Sequence, residues 1–156
     1  MPEDIPIFDP VDSTQFYLES LPTGKLEPRE LNAIASIIDA TPRLEPLALI
    51  HADLIPENII DDGQKFWFID WEYAGIGHPA IDLAFIAMNF ELPDHQLDTF
   101  VALHGDLNPD LVRSLKPVLI AREALWCLVQ IEADDTPKGD LVEYSRMCLR
   151  RLGRES

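Results

Sequence analysis

The residues best suited to chemistry form three polar clusters between residues 51 and 82. The first is His51-Ala52-Asp53-Leu54-Ile55-Pro56-Glu57-Asn58, which follows a short apolar run. A loop carboxylate at Asp53 could accept a proton from a hydroxyl group, and the amide oxygen of Asn58 could bind Mg²⁺. The same spacing suits an Asx turn that only joins a strand to a hairpin. Taken alone, this cluster leaves both interpretations open.

The second cluster, Ile69-Asp70-Trp71-Glu72, stands at the end of a predicted hairpin strand. Because a hairpin brings its own ends together, we expect Asp70 to lie close to Asn58. Two oxygen donors would then meet at one point, and Mg²⁺ commonly takes only one or two protein carboxylates besides waters and phosphates. In isolation Asp70 would be interpreted as a turn residue, but the pairing with the first cluster favours a magnesium site.

The third cluster places Asp82 in the first turn of an apolar helix that Pro79 can open. An unpaired charge there would be costly. We therefore expect Asp82 to have hydrogen-bond partners and to brace the loop of the first cluster, through backbone N–H groups or His51, without touching a substrate.

A small hairpin surrounded by helices is the arrangement that must position these side chains. Two β-rich runs, 58–60 and 65–69, flank Asp61-Asp62-Gly63-Gln64, and an Asp-Gly pair is a strong hairpin signal. Apolar spacing and proline or glycine stops predict helices over 28–41, 80–90 and 97–104, and a long one from Pro109 that is bent or divided at Pro117. Asp140-x-x-Glu143 has the form of a capping box for a last helix. The first 27 residues predict an irregular arm with a short helix around 13–21.

The composition indicates one globular domain of acidic character. The chain has 156 residues, with 12 Lys and Arg against 28 Asp and Glu, for a net charge of −16. This charge disfavours nucleic acid and anionic membrane surfaces as partners. No run approaches the length of a membrane span, and the acidic, proline-broken start is unlike a signal peptide, so we expect a cytoplasmic protein. Cys127 and Cys148 stand apart from any metal-binding pattern and are expected to be reduced core thiols.

Taken in order, 51–58, Phe68-Ile69-Asp70-Trp71-Glu72-Tyr73-Ala74-Gly75 and Asp82-Leu83-Ala84 resemble the aminoglycoside phosphotransferase and choline kinase superfamily. The string 69–75 is more similar to choline, ethanolamine and thiamine kinases than to typical aminoglycoside kinases. The resemblance implies an α+β fold: the mainly helical carboxy-terminal lobe of a protein-kinase-like fold, over residues 28–156, with residues 1–27 as its amino-terminal arm.

The resemblance also implies a role for each matching residue. Asp53 matches the catalytic base, Asn58 and Asp70 match the two Mg²⁺ ligands, and His51 matches a residue that supports the catalytic loop. Glu72 is a candidate supporting or substrate-binding residue, and Trp71 is a candidate substrate contact. The implied reaction moves the γ-phosphate of ATP, with Mg²⁺, to a hydroxyl of a small cationic substrate such as an aminoglycoside, choline, ethanolamine or thiamine.

The sequence departs from this pattern before residue 51. Such a kinase needs a phosphate-covering glycine loop and a strand lysine. The only glycine before His51 is Gly24, and the only lysine before it is Lys25. We therefore expect weak nucleotide binding and poor turnover by this chain alone. We also expect either a separate amino-terminal lobe as its partner, or self-association through apolar surface around Leu54, Ile55 and the first residues of the arm. The alternative is a non-catalytic or partner-dependent remnant of such a kinase. Trp67 and Trp126 are expected in the core.

Overall fold

The computed structural model describes residues 5–133 and 139–155, without the side chains of the last two of these. The chain forms two compact units. The first comprises residues 43–116 with the segment before Pro10, and the second comprises residues 10–42 with the segment from Pro117 onward. Most described residues are helical and two small sheets accompany them, which agrees with the expected α+β class.

The first unit contains both sheets. In one, β1 (Ala48–Ile50) pairs antiparallel with β4 (Gly75–Gly77). In the other, β2 (Ile59–Asp61) pairs antiparallel with β3 (Phe66–Phe68). A short 3₁₀ turn, Pro56–Asn58, leads directly into β2. The central hairpin is confirmed, and the apolar run before His51 forms strand β1.

Strand β4 was not predicted from the sequence, and with β1 it forms a second small sheet besides the expected hairpin. Its sequence, Gly-Ile-Gly, has no local strand signal, because glycine is depleted in strands. The glycines are required by close approach: a Cβ at Gly75 would lie 2.8 Å from the backbone oxygen of Pro6, and one at Gly77 would lie 2.5 Å from Cδ1 of Ile50. Ile76 also exchanges backbone hydrogen bonds with Pro6 and Phe8. The strand is therefore defined by partners distant in sequence.

The hairpin turn is closed by its own aspartates. Asp61 accepts a hydrogen bond from the backbone of Gly63, which adopts a φ of +82°. Trp67 was expected in the core, and that expectation is wrong, since the residue is 47% exposed. Its indole Nε1 donates to Asp62 at 2.6 Å, and the Lys65 ammonium lies 3.5 Å from its ring centroid. These two contacts hold the indole on the exposed surface of the hairpin.

Three helices complete the first unit. They are α3 (Ala80–Asn89), α4 (Asp94–Ala102) and the beginning of α5 (Pro109–Ala133), and all three were expected. Helix α3 is buried along most of its length. A bend or a division was expected at Pro117, and the division is wrong, because helix α5 continues through the proline. Leu115, Val118 and Leu119 beside the proline are fully buried, and this packing outweighs the hydrogen bond that a proline removes.

The regular elements in the described part of the second unit are all helices. It contains α1 (Pro10–Ser20), α2 (Pro28–Ala40), the remainder of α5 and α6 (Gly139–Glu155). Glu27 and Glu30 form a capping box at the start of α2. Helix α6 already includes Gly139 and Asp140, and the residues just before it lie outside the described ranges. The capping box expected at 140–143 is therefore not assigned.

Cys127 and Cys148 are free and buried in the second unit, as expected of core thiols. Burial raises the pKa of Cys127 to about 12 and that of Cys148 to about 11. In the described ranges, no helix has the length and apolarity needed to cross a membrane. The start of the chain, on which the signal-peptide expectation depends, includes residues 1–4, which lie outside the described residues.

Candidate active site

The loop that follows β1 is tied to the beginning of α3 by one carboxylate. Oδ2 of Asp82 accepts a hydrogen bond from the backbone N–H of His51, and Oδ1 accepts one from Ala52, each at 2.9 Å. Ala52 has a φ of +60° and is fully buried. Such a conformation costs a non-glycine residue free energy, and the two hydrogen bonds from Asp82 hold the loop in it.

Two influences act on the pKa of Asp82 in opposite directions. Burial raises it and is the larger influence, whereas the hydrogen bonds from the backbone of His51 and Ala52 lower it. The pKa of Asp82 therefore lies above its usual value. A charged carboxylate in this position is costly by itself, and the loop backbone supplies the donors that offset the cost.

Asp53 and Asn58 are joined at the two ends of the same loop. The amide Nδ2 of Asn58 donates to the carboxylate Oδ2 of Asp53 at 3.0 Å and to its backbone oxygen at 2.9 Å. Asn58 is buried, whereas Asp53 is half-buried. Because Nδ2 is directed at Asp53, the other amide atom, Oδ1, is the one that can face a cation.

Asp70 follows the last hydrogen bond of the hairpin. The backbone N–H of Ile69 donates to the oxygen of Asn58 at 3.0 Å, which extends the pairing of β2 and β3 by one step. Asp70 is the next residue, is exposed and adopts a φ of +61°. The hairpin therefore brings the backbone at Asp70 next to Asn58, as its geometry requires.

His51 connects the loop to this end of the hairpin. Its Nε2 lies 2.8 Å from the oxygen of Ile69, and since a carbonyl only accepts, Nε2 carries the proton. The ring also contacts Trp71, with centroids 4.6 Å apart. Among the described residues, the buried Nδ1 of His51 has no hydrogen-bond partner. His51 thus holds the residues on both sides of Asp70.

A cleft of about 410 Å³ opens beside these residues. His51, Trp71 and Asp82 contribute to its lining, which is otherwise mainly apolar. Phe68 and His104 also line it, and neither was singled out from the sequence. Phe68 reads as an ordinary strand residue, and His104 lies too far along the chain for a spacing argument to reach it. Glu72 is exposed and does not line this cleft.

Within the described ranges, no group of three or more His, Cys, Asp or Glu side chains could hold a metal ion. The donors that the loop and the hairpin offer are one amide oxygen and one carboxylate, from Asn58 and Asp70. This small oxygen donor set fits Mg²⁺, which keeps several waters and binds substrate phosphates. It does not fit zinc, which takes nitrogen and sulfur ligands in a closed site.

The fold is that of the carboxy-terminal lobe of a protein-kinase-like protein, and solved structures agree. The chain is similar to a choline/ethanolamine kinase family protein from Mesorhizobium loti, with a TM-score of 0.72 and 27% identity, over 96% of this chain and 53% of the other. It shares its fold with the choline kinase LicA of Streptococcus pneumoniae, with a TM-score of 0.75 and 20% identity, over 96% of this chain and 56% of the other.

The family follows from the sequence match. Residues 11–115 match the phosphotransferase enzyme family, known as APH, and the chain belongs to this family. A LicA homologue of Mycoplasma capricolum is 33% identical over 75 residues, which are 48% of this chain and 30% of that protein. LicA of Haemophilus influenzae is 39% identical over 54 residues, which are 32% of this chain and 20% of that protein. The chain thus spans only part of these relatives, and about half of the solved structures.

Proposed function

We propose that the chain is the catalytic lobe of a phosphotransferase that moves the γ-phosphate of ATP to a hydroxyl of a small cationic substrate. The observation that carries the proposal is the pair of hydrogen bonds from Asn58 to Asp53, beside the hairpin end where Asp70 stands. They hold a candidate base and a candidate metal ligand together. Membership of the phosphotransferase family supports the same reaction class.

Asp53 is the residue that acts on the substrate in this proposal. Its carboxylate orients the substrate hydroxyl and accepts the proton as the oxygen forms its bond to the γ-phosphorus. The bond between the γ-phosphorus and the bridging oxygen breaks, and ADP carries away that oxygen. Asn58 donates to Oδ2 of Asp53 and keeps the carboxylate in one orientation, so that little reorganisation is needed during transfer.

Asn58 and Asp70 are the residues that would hold Mg²⁺, through an amide oxygen and a carboxylate. When bound, Mg²⁺ neutralises charge on the transferring phosphate. His51 and Asp82 act through the backbone: His51 fixes the residue before Asp70, and Asp82 fixes the loop that carries Asp53. Both are positioning residues.

The cationic substrate is supported by charge and by surface chemistry. The chain carries a net charge of −16, and such a field attracts cations. Trp71 is 47% exposed and faces the cleft, where an aromatic ring can contact a cation. Glu72, exposed beside it, is a second candidate contact. The similarity to proteins named choline kinase and choline/ethanolamine kinase points to an amino alcohol.

A second lobe completes the proposed enzyme. The hairpin exposes Ile60, Phe66, Trp67, Phe68 and Ile69. Ile60 and Trp67 pair across the two strands and share one face, and a nucleotide-binding lobe could cover that face. Leu54, expected at such a surface, is buried, so the hairpin replaces it in this proposal. In this proposal residues 28–156 form the carboxy-terminal lobe and residues 1–27 form its arm. The protein acts in the cytoplasm, where ATP is available. A non-catalytic remnant is the competing function, favoured by the partial coverage of the solved structures.

A panel assay tests the proposal. The whole chain is incubated with Mg·ATP and choline, ethanolamine, thiamine, homoserine or an aminoglycoside, and phosphorylated product is measured. We expect magnesium-dependent product with at least one amino alcohol. Product with none of them, at enzyme concentrations comparable to substrate, would favour the non-catalytic remnant.

A further inference from the structure

The second unit contains a basic cleft that the proposed reaction does not use. It measures about 600 Å³ and lies between the start of α2 and the end of α6. Arg29, Arg146 and Arg150 line it, together with Ala33, Leu149 and Leu152. A cluster of arginines is unexpected here, because acidic residues outnumber basic ones 28 to 12 in the chain.

Two of these arginines are available to a ligand. Arg29 pairs with Glu27 at 2.8 Å, and Glu30 accepts a hydrogen bond from the backbone of Glu27, so both acidic side chains of the lining have a partner, and the three arginines outnumber them. Arg146 and Arg150 are both exposed and have no ion pair within the described ranges. The unpaired positive charge of the cleft therefore lies on α6.

The spacing of Arg146 and Arg150 suits one shared ligand. Residues four apart on a helix have Cβ atoms about 5–6 Å apart on the same face. Each guanidinium presents a planar fork of donors that matches carboxylate or phosphate oxygens. One fork already satisfies the two oxygens of a carboxylate, whereas a phosphate monoester has three terminal oxygens and two charges for two forks.

We propose that this cleft binds a small organic phosphate. Arg146 and Arg150 hold the phosphate group, and Ala33, Leu149 and Leu152 contact the organic part. The volume of the cleft favours a phosphate with an organic substituent over inorganic phosphate alone. The ordinary alternative is that the arginines only complement the negative end of the α6 dipole. Arginines that only complement the dipole need no ligand, so saturable binding of a phosphate would favour the proposed site over that role.

The test is a titration of the whole ¹⁵N-labelled chain, without Mg²⁺ and at constant ionic strength. Inorganic phosphate, phenyl phosphate and acetate are added separately, and the amide shifts of Ala33, Leu149 and Gly153 are followed. We expect saturable shifts with both phosphates, tighter binding of phenyl phosphate than of inorganic phosphate, and at least tenfold weaker binding of acetate.

The matched variants are the double substitution Arg146→Gln with Arg150→Gln, and the single substitution Arg113→Gln as control. Arg113 is also a surface arginine, but it already pairs with Asp98 and Asp110 outside this cleft. The double variant should bind phenyl phosphate at least tenfold more weakly, and the control should bind it as the natural chain does. Absence of saturation, equal binding of acetate, or equal weakening in both variants would overturn the proposal.

Discussion

At the scale of single residues, one carboxylate organises the candidate site. The carboxylate of Asp82 accepts two hydrogen bonds, one from the backbone N–H of His51 and one from that of Ala52. The loop it fixes carries Asp53, whose carboxylate is in turn held by Asn58. Asp53 is therefore oriented in two ways: Asp82 fixes the backbone of its loop, and the side-chain amide of Asn58 holds its carboxylate. Neither contact requires the base itself to be buried.

Replacement of Asp82 by Asn should destabilise the fold. The variant puts an amide NH₂ opposite one of the two backbone N–H groups and leaves that buried donor without an acceptor, a cost of about 1–3 kcal/mol. Because the folded pKa of Asp82 is raised above 3.8, the carboxyl contributes most stability below that pH and loses it as the pH rises through the folded pKa. The cost of Asp82→Asn should therefore be larger at acid pH than at neutral pH. Urea unfolding of both proteins across this range measures it, and a cost that grows with pH would contradict the prediction.

Substitution of Asp70 should remove metal binding without unfolding the chain. Mn²⁺ takes the same oxygen ligands as Mg²⁺ and broadens the amide signals of nearby residues. We expect broadening around Asn58 and Asp70, and at least a tenfold loss of Mn²⁺ affinity in Asp70→Asn. Asp110→Asn is the control, since Asp110 is exposed and lies in a surface ion pair. Broadening that persists equally in Asp70→Asn would place the metal elsewhere.

At the scale of elements, the site depends on two short sheets that differ in how they are specified. The hairpin of β2 and β3 is local, and its Asp-Gly turn, β-rich flanks and register are all visible in the sequence. Strand β4 depends on the backbone of Pro6 and Phe8 and on Ile50, which lie far away in the chain. Its glycines are required by packing against those residues and not by a turn.

Addition of one methyl group at Gly75 should therefore destabilise the first unit. The Cβ of an alanine would lie 2.8 Å from the backbone oxygen of Pro6 and 3.1 Å from Cβ of Phe8. Overpacking of this kind costs about 1–3 kcal/mol. Gly153→Ala is the control, because that helical position has nothing within 4 Å, and alanine there should stabilise by about 0.5–1 kcal/mol. Urea unfolding measures both, and a neutral Gly75→Ala would refute the packing argument.

Local signals explain which elements could be predicted. Helix starts at Pro28 and Pro109 and the turn at Gly63 follow from backbone chemistry that a few residues determine. The continuity of α5 through Pro117 could not be predicted, because it depends on the burial of Leu115 and Leu119 by the surrounding chain. The surface position of Trp67, which its contacts with Asp62 and Lys65 hold, could not be predicted either. The meeting of Asn58 and Asp70 was predictable since a hairpin alone brings them together, whereas the place of His104 in the cleft was not.

For the whole molecule, the net charge bears on the substrate, and the length bears on the need for a second lobe. The acidic surplus is consistent with a cationic substrate, while the second unit concentrates arginines 146, 150, 151 and 154 within one helix. The chain covers just over half of the solved structures it resembles. The exposed apolar hairpin is the surface that the additional part of such an enzyme would be expected to contact.

This chain alone should bind Mg·ATP weakly. Nucleotide binding of this kind needs a phosphate-covering glycine loop and a strand lysine, and Gly24 and Lys25 are the only glycine and the only lysine before His51. Calorimetric titration of the whole chain should give a dissociation constant weaker than the micromolar range. Micromolar binding would show that this chain holds the nucleotide without a second lobe.

The rate of phosphate transfer by the natural chain and by Asp53→Asn shows whether Asp53 acts as the base. Both are assayed with Mg·ATP and the best amino alcohol acceptor, with Asp110→Asn as control and circular dichroism to verify folding. A general base contributes about 10²–10⁴-fold, so Asp53→Asn should be at least about 100-fold slower while the control is unchanged. An equal rate in Asp53→Asn would contradict the assignment of Asp53 as the base of a phosphotransferase. No transfer by the natural chain, at enzyme concentrations comparable to substrate, would instead favour the non-catalytic remnant.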